Sequence, residues 1–104
     1  MKRYDKIIRD RIPEIIEFQG KTCSYTEVPD RVATRYLKNK VREELVELVD
    51  SNYSLEEMID VYDVLDALRE KLGISDTDFH IARTKKYEER GGFKNNIILK
   101  EVSD

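Results

Sequence analysis

Four acidic side chains near the middle of the chain have the types and spacing needed to bind a divalent cation. Glu44 and Glu47 lie three residues apart, and Glu57 and Asp60 repeat that spacing. Residues three apart lie on the same face of a helix, so each pair projects together if its segment is helical. The turn-like stretch 50–54 is short enough to fold two helices back antiparallel and bring the pairs face to face. Hard oxygen ligands grouped in this way suit Mg²⁺, with Mn²⁺ as the alternative.

The same acidic residues also have a structural interpretation. Ser54 and Glu57 have the spacing of a capping box, which gives Glu57 a role in starting a helix. The acidic residues of 43–47 could likewise form a solvated helix face. The second pair favours the metal interpretation, because Glu57 continues an apolar stripe and no Lys or Arg occurs in 55–68. A metal would supply the missing charge, and so would basic residues from another helix.

Start and stop signals for helices indicate which elements must position these acids. Pro13 suits the first turn of a helix, and Ser54 and Ser75 suit N-caps. The predicted helices run from after residue 10 to about 20, from 30 to about 51, from 54 to 72 and from 75 to 90. Segments 22–26 and 96–102 are β-prone and are expected to pair. We therefore predict an all-α protein, a four-helix bundle with a small β accessory from the segment after Gly20 and the C-terminal strand.

Length and charge restrict the class of protein further. At 104 residues the chain is expected to be one domain, residues 1–104. Lys and Arg number 19 against 22 Asp and Glu, a balance that argues against stable nucleic-acid binding. No apolar run approaches the length that crosses a membrane, so we expect a soluble, cytoplasmic protein without a membrane partner. The predicted third helix is apolar on more than one side, which favours a homodimer or a higher homo-oligomer.

Basic residues cluster at the two ends of the chain. The N-terminal cluster contains Arg9 and Arg11, and the C-terminal cluster contains Lys86 and Arg90. Arg and Lys neutralise phosphate oxygens directly, while a cation bridges phosphate oxygens to protein carboxylates. An acidic centre with basic flanks is therefore suited to a metal-bound polyphosphate, although many of these side chains are also expected to serve solubility.

These motifs together resemble those of a known enzyme superfamily. The segments 43–47 (EELVE) and 57–60 (EMID) are similar to the signature of the MazG-like all-α nucleoside triphosphate pyrophosphatases. Residues 9–16 (RDRIPEII) and 86–93 (KYEERGGF), with 97–99 (IIL), resemble the small phosphoribosyl-ATP-pyrophosphohydrolase-like branch of predicted house-cleaning enzymes. The similarity extends over nearly the whole chain, so the expected fold is a four-helix bundle of the MazG-like type.

The resemblance implies a role for each matching residue. Glu44, Glu47, Glu57 and Asp60 would bind Mg²⁺, and Glu43 would adjoin them. The reaction would be hydrolysis of a nucleoside triphosphate between its α- and β-phosphates, giving a monophosphate and pyrophosphate. Further roles are implied as follows: Glu43 or Glu47 as the base that takes the proton of the attacking water, and Lys40, Lys86, Arg90, Arg9 and Arg11 as ligands of the substrate's phosphates.

Two other functions are compatible with the same residues. The chain would be a non-catalytic helical regulator or adaptor if its apolar stripes bind a protein partner. It would be an acidic helical module if it binds Mg²⁺ structurally without turnover. The base of the nucleotide is not determined by the sequence, because residues such as Tyr25, Tyr36 and Phe93 could equally pack in a core.

Overall fold

The computed structural model describes residues 2–104 and contains four α-helices in this part of the chain. The helices are α1 (Ile12–Phe18), α2 (Asp30–Asp50), α3 (Leu55–Lys71) and α4 (Asp76–Arg90). Each lies within a residue or two of its predicted bounds. The prediction of an all-α protein is therefore confirmed for the described residues.

The β accessory predicted for this fold is wrong for residues 2–104, in which no strand occurs. The segment after Gly20 and the residues around 96–102 contain no regular secondary structure. A short β-prone segment becomes a strand only when its backbone groups pair with a neighbour, and side-chain composition alone does not supply that neighbour. The fold class is thus helical without the small sheet.

Helices α2 and α3 pack against each other as an antiparallel hairpin. The turn between them uses two residues with left-handed backbone angles, Asn52 (φ 57°) and Tyr53 (φ 60°). Ser54 then caps α3 by accepting a 3.3 Å hydrogen bond from the backbone N–H of Glu57. At the opposite end of the hairpin, Lys71 Nζ lies 2.9 Å from an Asp30 carboxylate oxygen. The acidic residues of 43–47 on α2 and of 57–60 on α3 flank the turn, so they lie near the same end of the hairpin.

The contact between α2 and α3 contains the most buried side chains of the described chain. Ala33 and Leu37 of α2 and Val61 of α3 are buried, and they share this interface with one carboxylate, Glu44. Other apolar residues of α3 remain exposed, such as Tyr62, which is 67% exposed. A single copy of the hairpin therefore covers only one of the apolar sides of α3.

The chain divides into two compact units, one ending at Gly73 and the other comprising Ile74–Asp104. Within the second unit, Ser75 caps α4 by accepting a 3.0 Å hydrogen bond from the backbone N–H of Asp78. Gly91 ends α4 with φ +76°, a left-handed angle that disfavours other residues. A Cβ on Gly92 would lie 2.9 Å from the Tyr87 ring, so the helix end and this ring pack closely. Of the helices described, none has the length and apolar character needed to cross a membrane.

Candidate metal centre

Three carboxylates from two helices converge near the turn of the hairpin. Glu44 is on α2, and Glu57 and Asp60 are on α3, three residues apart and hence on one face. One carboxylate oxygen from each residue lies within 4.8 Å of the others. The helical spacing creates the Glu57–Asp60 pair, and the turn of the hairpin adds Glu44 to it. We call these three residues the acidic trio.

Two oxygens of the acidic trio are buried without a hydrogen-bond partner. They are Glu44 Oε2 and Glu57 Oε2. Glu44 is only 5% exposed, so the solvated helix face considered for residues 43–47 does not describe this side chain. Leaving a buried carboxylate oxygen unsatisfied is costly, and coordination of a divalent cation would offset that cost. The donor set of hard carboxylate oxygens fits Mg²⁺ or Mn²⁺.

The pKa values of two carboxyls of the trio, Glu44 and Glu57, are raised by their burial and by neighbouring negative charge. Burial raises the pKa of Glu44 above its usual value, and the adjacent Glu47 carboxylate raises that pKa further, while Lys40 opposes the shift. Burial also raises the pKa of Glu57, and the negative charges of Asp60 and Glu44 add to this effect. In the absence of a cation, the trio therefore holds its negative charge at a cost.

Glu43 and Glu47, the other two carboxylates of residues 43–47, lie beside the trio. Glu47 is exposed and close enough to influence Glu44, but it is outside the three that converge. Glu43 is held by two lysines, with its Oε1 atom 3.3 Å from Lys40 Nζ and 3.5 Å from Lys6 Nζ. The structure thus brings together three of the four predicted ligands, and the role of Glu47 as a fourth stays a prediction.

Two predicted phosphate ligands lie at the trio itself. Lys40 is largely buried, and its Nζ is 3.4 Å from Glu44 Oε1. Arg9 donates hydrogen bonds to Asp60 Oδ1 at 2.6 Å and to Asp63 Oδ2 at 3.0 Å. The bond to Asp60 is the main reason that the pKa of Arg9 is raised. Arg9 and Lys40 therefore place positive charge next to two different members of the trio.

The other predicted phosphate ligands lie elsewhere in the chain. Arg11 is at the start of α1, where its guanidinium pairs with Glu14 in the first turn of the same helix. Lys86 and Arg90 are exposed residues of α4 in the second unit. Their contact with phosphate stays a prediction.

A cavity of about 630 Å³ opens against the trio within the first unit. Glu44 and Asp60 line it, together with the cations Lys6, Arg9, Lys40 and Lys71 and an apolar wall that includes Leu37 and Val64. We call it the acidic cavity. Sequence reasoning did not single out Lys71 or Asp63, which also lines this cavity. The i, i+3 relation of Asp63 to Asp60 was a visible signal, whereas nothing local indicates Lys71.

Comparison of the chain with models of protein families, with curated proteins and with solved structures gave no match.

Proposed function

We propose that this protein is a Mg²⁺-dependent nucleotide pyrophosphohydrolase of the MazG-like type. It would cleave a nucleoside triphosphate, or a related pyrophosphate ester, between the α- and β-phosphates, as a house-cleaning enzyme for non-canonical nucleotides. The observation that carries the proposal is the pair of buried oxygens, Glu44 Oε2 and Glu57 Oε2, which converge without hydrogen-bond partners. Burial of this kind is costly unless a cation binds.

The acidic trio is the proposed metal site, with Glu47 as a candidate fourth ligand. When bound there, Mg²⁺ would neutralise phosphate oxygens, acidify a water molecule and stabilise the pyrophosphate leaving group. Glu44 and Glu57 would hold the ion from opposite helices, and Asp60 would complete the trio. A site built on two packed helices is well suited to keeping ligands in place.

The surrounding side chains support phosphoryl transfer. Lys40 and Arg9 lie at the edge of the trio in the acidic cavity, where they would bind phosphate oxygens. Glu47 is the better candidate for the base that accepts the proton of the attacking water, because it is exposed beside Glu44. Glu43 already pairs with two lysines, and positive neighbours weaken a carboxylate as a base.

We also propose that the active form is a homodimer or a larger homo-oligomer. The exposed apolar residues of α3 lie along one side of the helix, at spacings of three and four residues. These residues are Leu55, Met58, Ile59, Tyr62 and Leu65. A second hairpin packed on this side would bury them and would form a four-helix bundle.

The decisive experiment incubates the protein with a panel of nucleotides and Mg²⁺ and measures pyrophosphate and orthophosphate separately. Pyrophosphate with the matching monophosphate is the expected result. Orthophosphate alone would identify a phosphatase instead. Metal binding without turnover of any nucleotide would favour a structural Mg²⁺ module, and absence of both would favour a helical adaptor.

A further inference from the structure

A second cavity lies beside the acidic cavity, and residues of the N-terminal segment line both. Its volume is about 590 Å³, and three tyrosines line it, Tyr4, Tyr25 and Tyr36. Lys6, Ile7 and Ile8 line both cavities, so the two spaces are neighbours that share this short stretch of chain. We call this space the tyrosine cavity.

The tyrosines have the chemistry of a stacking site for a flat ring. Tyr4 is 65% exposed and Tyr25 is 61% exposed, so both residues keep much of their surface open to a ligand. The ammonium groups of Lys2 and Lys6 lie over the Tyr4 ring, at 5.7 and 5.3 Å from its centroid. Aromatic side chains bind nucleobases through their faces, and this contact tolerates any base because every base has a π-face. Ser24 and Thr26 add hydroxyl groups to the same lining.

A continuous series of charged contacts leads from the tyrosine cavity to the acidic trio. Lys6 Nζ lies 5.3 Å from the centroid of the Tyr4 ring and 3.5 Å from Glu43 Oε1. Lys40 Nζ lies 3.3 Å from the same Glu43 oxygen and 3.4 Å from Glu44 Oε1. Two lysines therefore lie between the aromatic rings and the proposed metal site, as the phosphates of a nucleotide bound across both cavities would require.

The spacing along α2 agrees with this series. Tyr36, Lys40 and Glu44 follow each other at intervals of four residues and therefore lie along one side of the helix. The eight residues from Tyr36 to Glu44 correspond to about 12 Å of helix axis. A nucleotide with its triphosphate extended has a comparable length between the base and the terminal phosphates.

We propose that the tyrosine cavity binds the base of the nucleotide whose phosphates bind at the acidic trio. The inference rests on the proposed function for the identity of the phosphate site, and it adds a base site formed by the N-terminal segment and α2. In this arrangement Lys6 contacts the phosphate nearest the ribose, and Lys40 contacts the phosphates nearest the metal.

The tyrosine cavity also contains a carboxylate, Asp5, which would discriminate between bases in this arrangement. Tyr36 Oη donates a 2.6 Å hydrogen bond to Asp5 Oδ1, which holds this carboxylate at the cavity. A carboxylate accepts hydrogen bonds and donates none, so the remaining lone pairs of Asp5 favour a base with an exocyclic amino group. Cytosine and uracil make a useful comparison, because an amino group in the first is replaced by a carbonyl oxygen in the second.

Stacking is tested directly with the α,β-methylene analogue of 2-aminopurine riboside triphosphate, which resists the proposed cleavage and whose fluorescence falls when its base stacks. The chain contains no tryptophan, so the signal is free of that background. We expect the parent protein with Mg²⁺ to quench the probe, and Tyr25→Leu to weaken its binding by roughly tenfold or more. Binding of inorganic tripolyphosphate, measured by titration calorimetry, should be unchanged in the variant because this ligand has no base.

Tyr53→Leu is the matched control, since Tyr53 is 58% exposed but lies in the turn of the hairpin outside the cavity. It should quench and bind like the parent. The base site is overturned if Tyr25→Leu loses affinity for both the nucleotide probe and tripolyphosphate, or if it keeps full affinity for both. So does a parent protein that binds tripolyphosphate as tightly as it binds the nucleotide. Thermal melts of each variant exclude unfolding as the cause of a loss.

The discriminating role of Asp5 is tested by measuring the affinities of the α,β-methylene analogues of cytidine and uridine triphosphates, which resist the proposed cleavage. We expect the parent to prefer the cytidine nucleotide by roughly tenfold, as loss of a hydrogen bond to a charged group predicts, and Asp5→Asn to remove the preference. Equal affinities in the parent overturn this role. Pyrophosphate release from the ordinary nucleotides is assayed separately. Base binding without pyrophosphate release would support the base site and contradict the proposed function. Pyrophosphate release without base binding at this cavity would support the proposed function and contradict the base site.

Discussion

Arg9 and Asp60 form a 2.6 Å ion pair, although the family resemblance predicts that one binds phosphate and the other binds metal. Arg9 contacts Asp63 at the same time, at 3.0 Å. The guanidinium of Arg9 is therefore the positively charged partner that residues 55–68 of α3 do not provide for Asp60. If Mg²⁺ binds to Asp60, Arg9 can keep its bond to Asp63 and turn its other N–H groups toward phosphate.

Replacing Asp60 separates the contribution of the ion pair from that of the metal. The pair with Arg9 is partly exposed, so Asp60→Asn should change the metal-free free energy of unfolding by no more than about 1 kcal/mol. Mg²⁺ should raise the melting temperature of the parent in proportion to its preferential binding to the folded state, and it should raise that of the variant much less. Asp63→Asn is the control, because it removes an Arg9 contact and leaves the trio intact. Equal protection of the parent and Asp60→Asn by Mg²⁺ would exclude Asp60 as a ligand.

Replacing Glu44 or Glu57, the proposed ligands with a buried oxygen, should abolish most of the proposed activity. Glu44→Gln or Glu57→Gln keeps the shape of the side chain but removes its charge, so pyrophosphate release should fall about a hundredfold or more. The double variant should release pyrophosphate little more slowly than the less active of the two single variants, because ligands act as a unit. Glu56→Gln, an exposed neighbour on α3, should retain activity. Activity within a few-fold of the parent in both single variants would contradict the metal site.

The raised pKa values of Glu44 and Glu57 predict a pH dependence of stability in the metal-free protein. Both carboxyls titrate above their ordinary value of 4.5 when folded, so protonation favours the folded state. Their stabilising contribution is fully present below pH 4.5 and is lost as the pH rises through the higher folded pKa values. Melts in chelator from about pH 4 to pH 7 should therefore show a falling component of stability. The Glu44→Gln, Glu57→Gln double variant should lack this component, and a parent without it would contradict the shifts.

The C-terminal basic residues are expected to act on phosphate and not on metal. Lys86→Ala or Arg90→Ala should weaken nucleotide binding more than Mg²⁺ binding in titration calorimetry. Lys94→Ala provides a control for the loss of one positive charge from the same unit. Unchanged nucleotide affinity in both test variants would return these side chains to a solubilising role.

The exposed apolar side of α3 predicts self-association. Ile59→Lys places a charge in the middle of this side and should dissociate the assembly to monomers in analytical ultracentrifugation. Glu17→Lys adds the same side chain at an exposed polar position on α1, away from this side of α3, and should leave the assembly intact. A parent protein that sediments as a monomer at micromolar concentration would contradict the oligomer.

Local chemistry accounts for the elements that the sequence predicts correctly. Ser54 and Ser75 each cap the helix that follows, because a serine hydroxyl satisfies a backbone N–H in the first turn wherever the chain is placed. The i, i+3 spacing of Glu57 and Asp60 puts them on one face of a helix for the same local reason. These features depend on residues within one or two turns of each other.

The predicted β accessory failed because it depended on a partner. Residues 22–26 have β-prone side chains, but a strand requires a second backbone to accept its hydrogen bonds. No local signal specifies that second backbone. Composition therefore overestimated the regular structure of this segment.

The features of the candidate site are likewise of two kinds, those set by residue spacing along one helix and those set by tertiary packing. Residue spacing alone predicts that Glu57 and Asp60 share one helix face and that a short turn joins the two helices. The burial of Glu44, the pairing of Arg9 with Asp60 and the place of Lys71 in the acidic cavity appear only when the chain is packed. Burial and ion pairing between distant residues depend on how segments pack, and side-chain spacing within one helix carries no information about that packing.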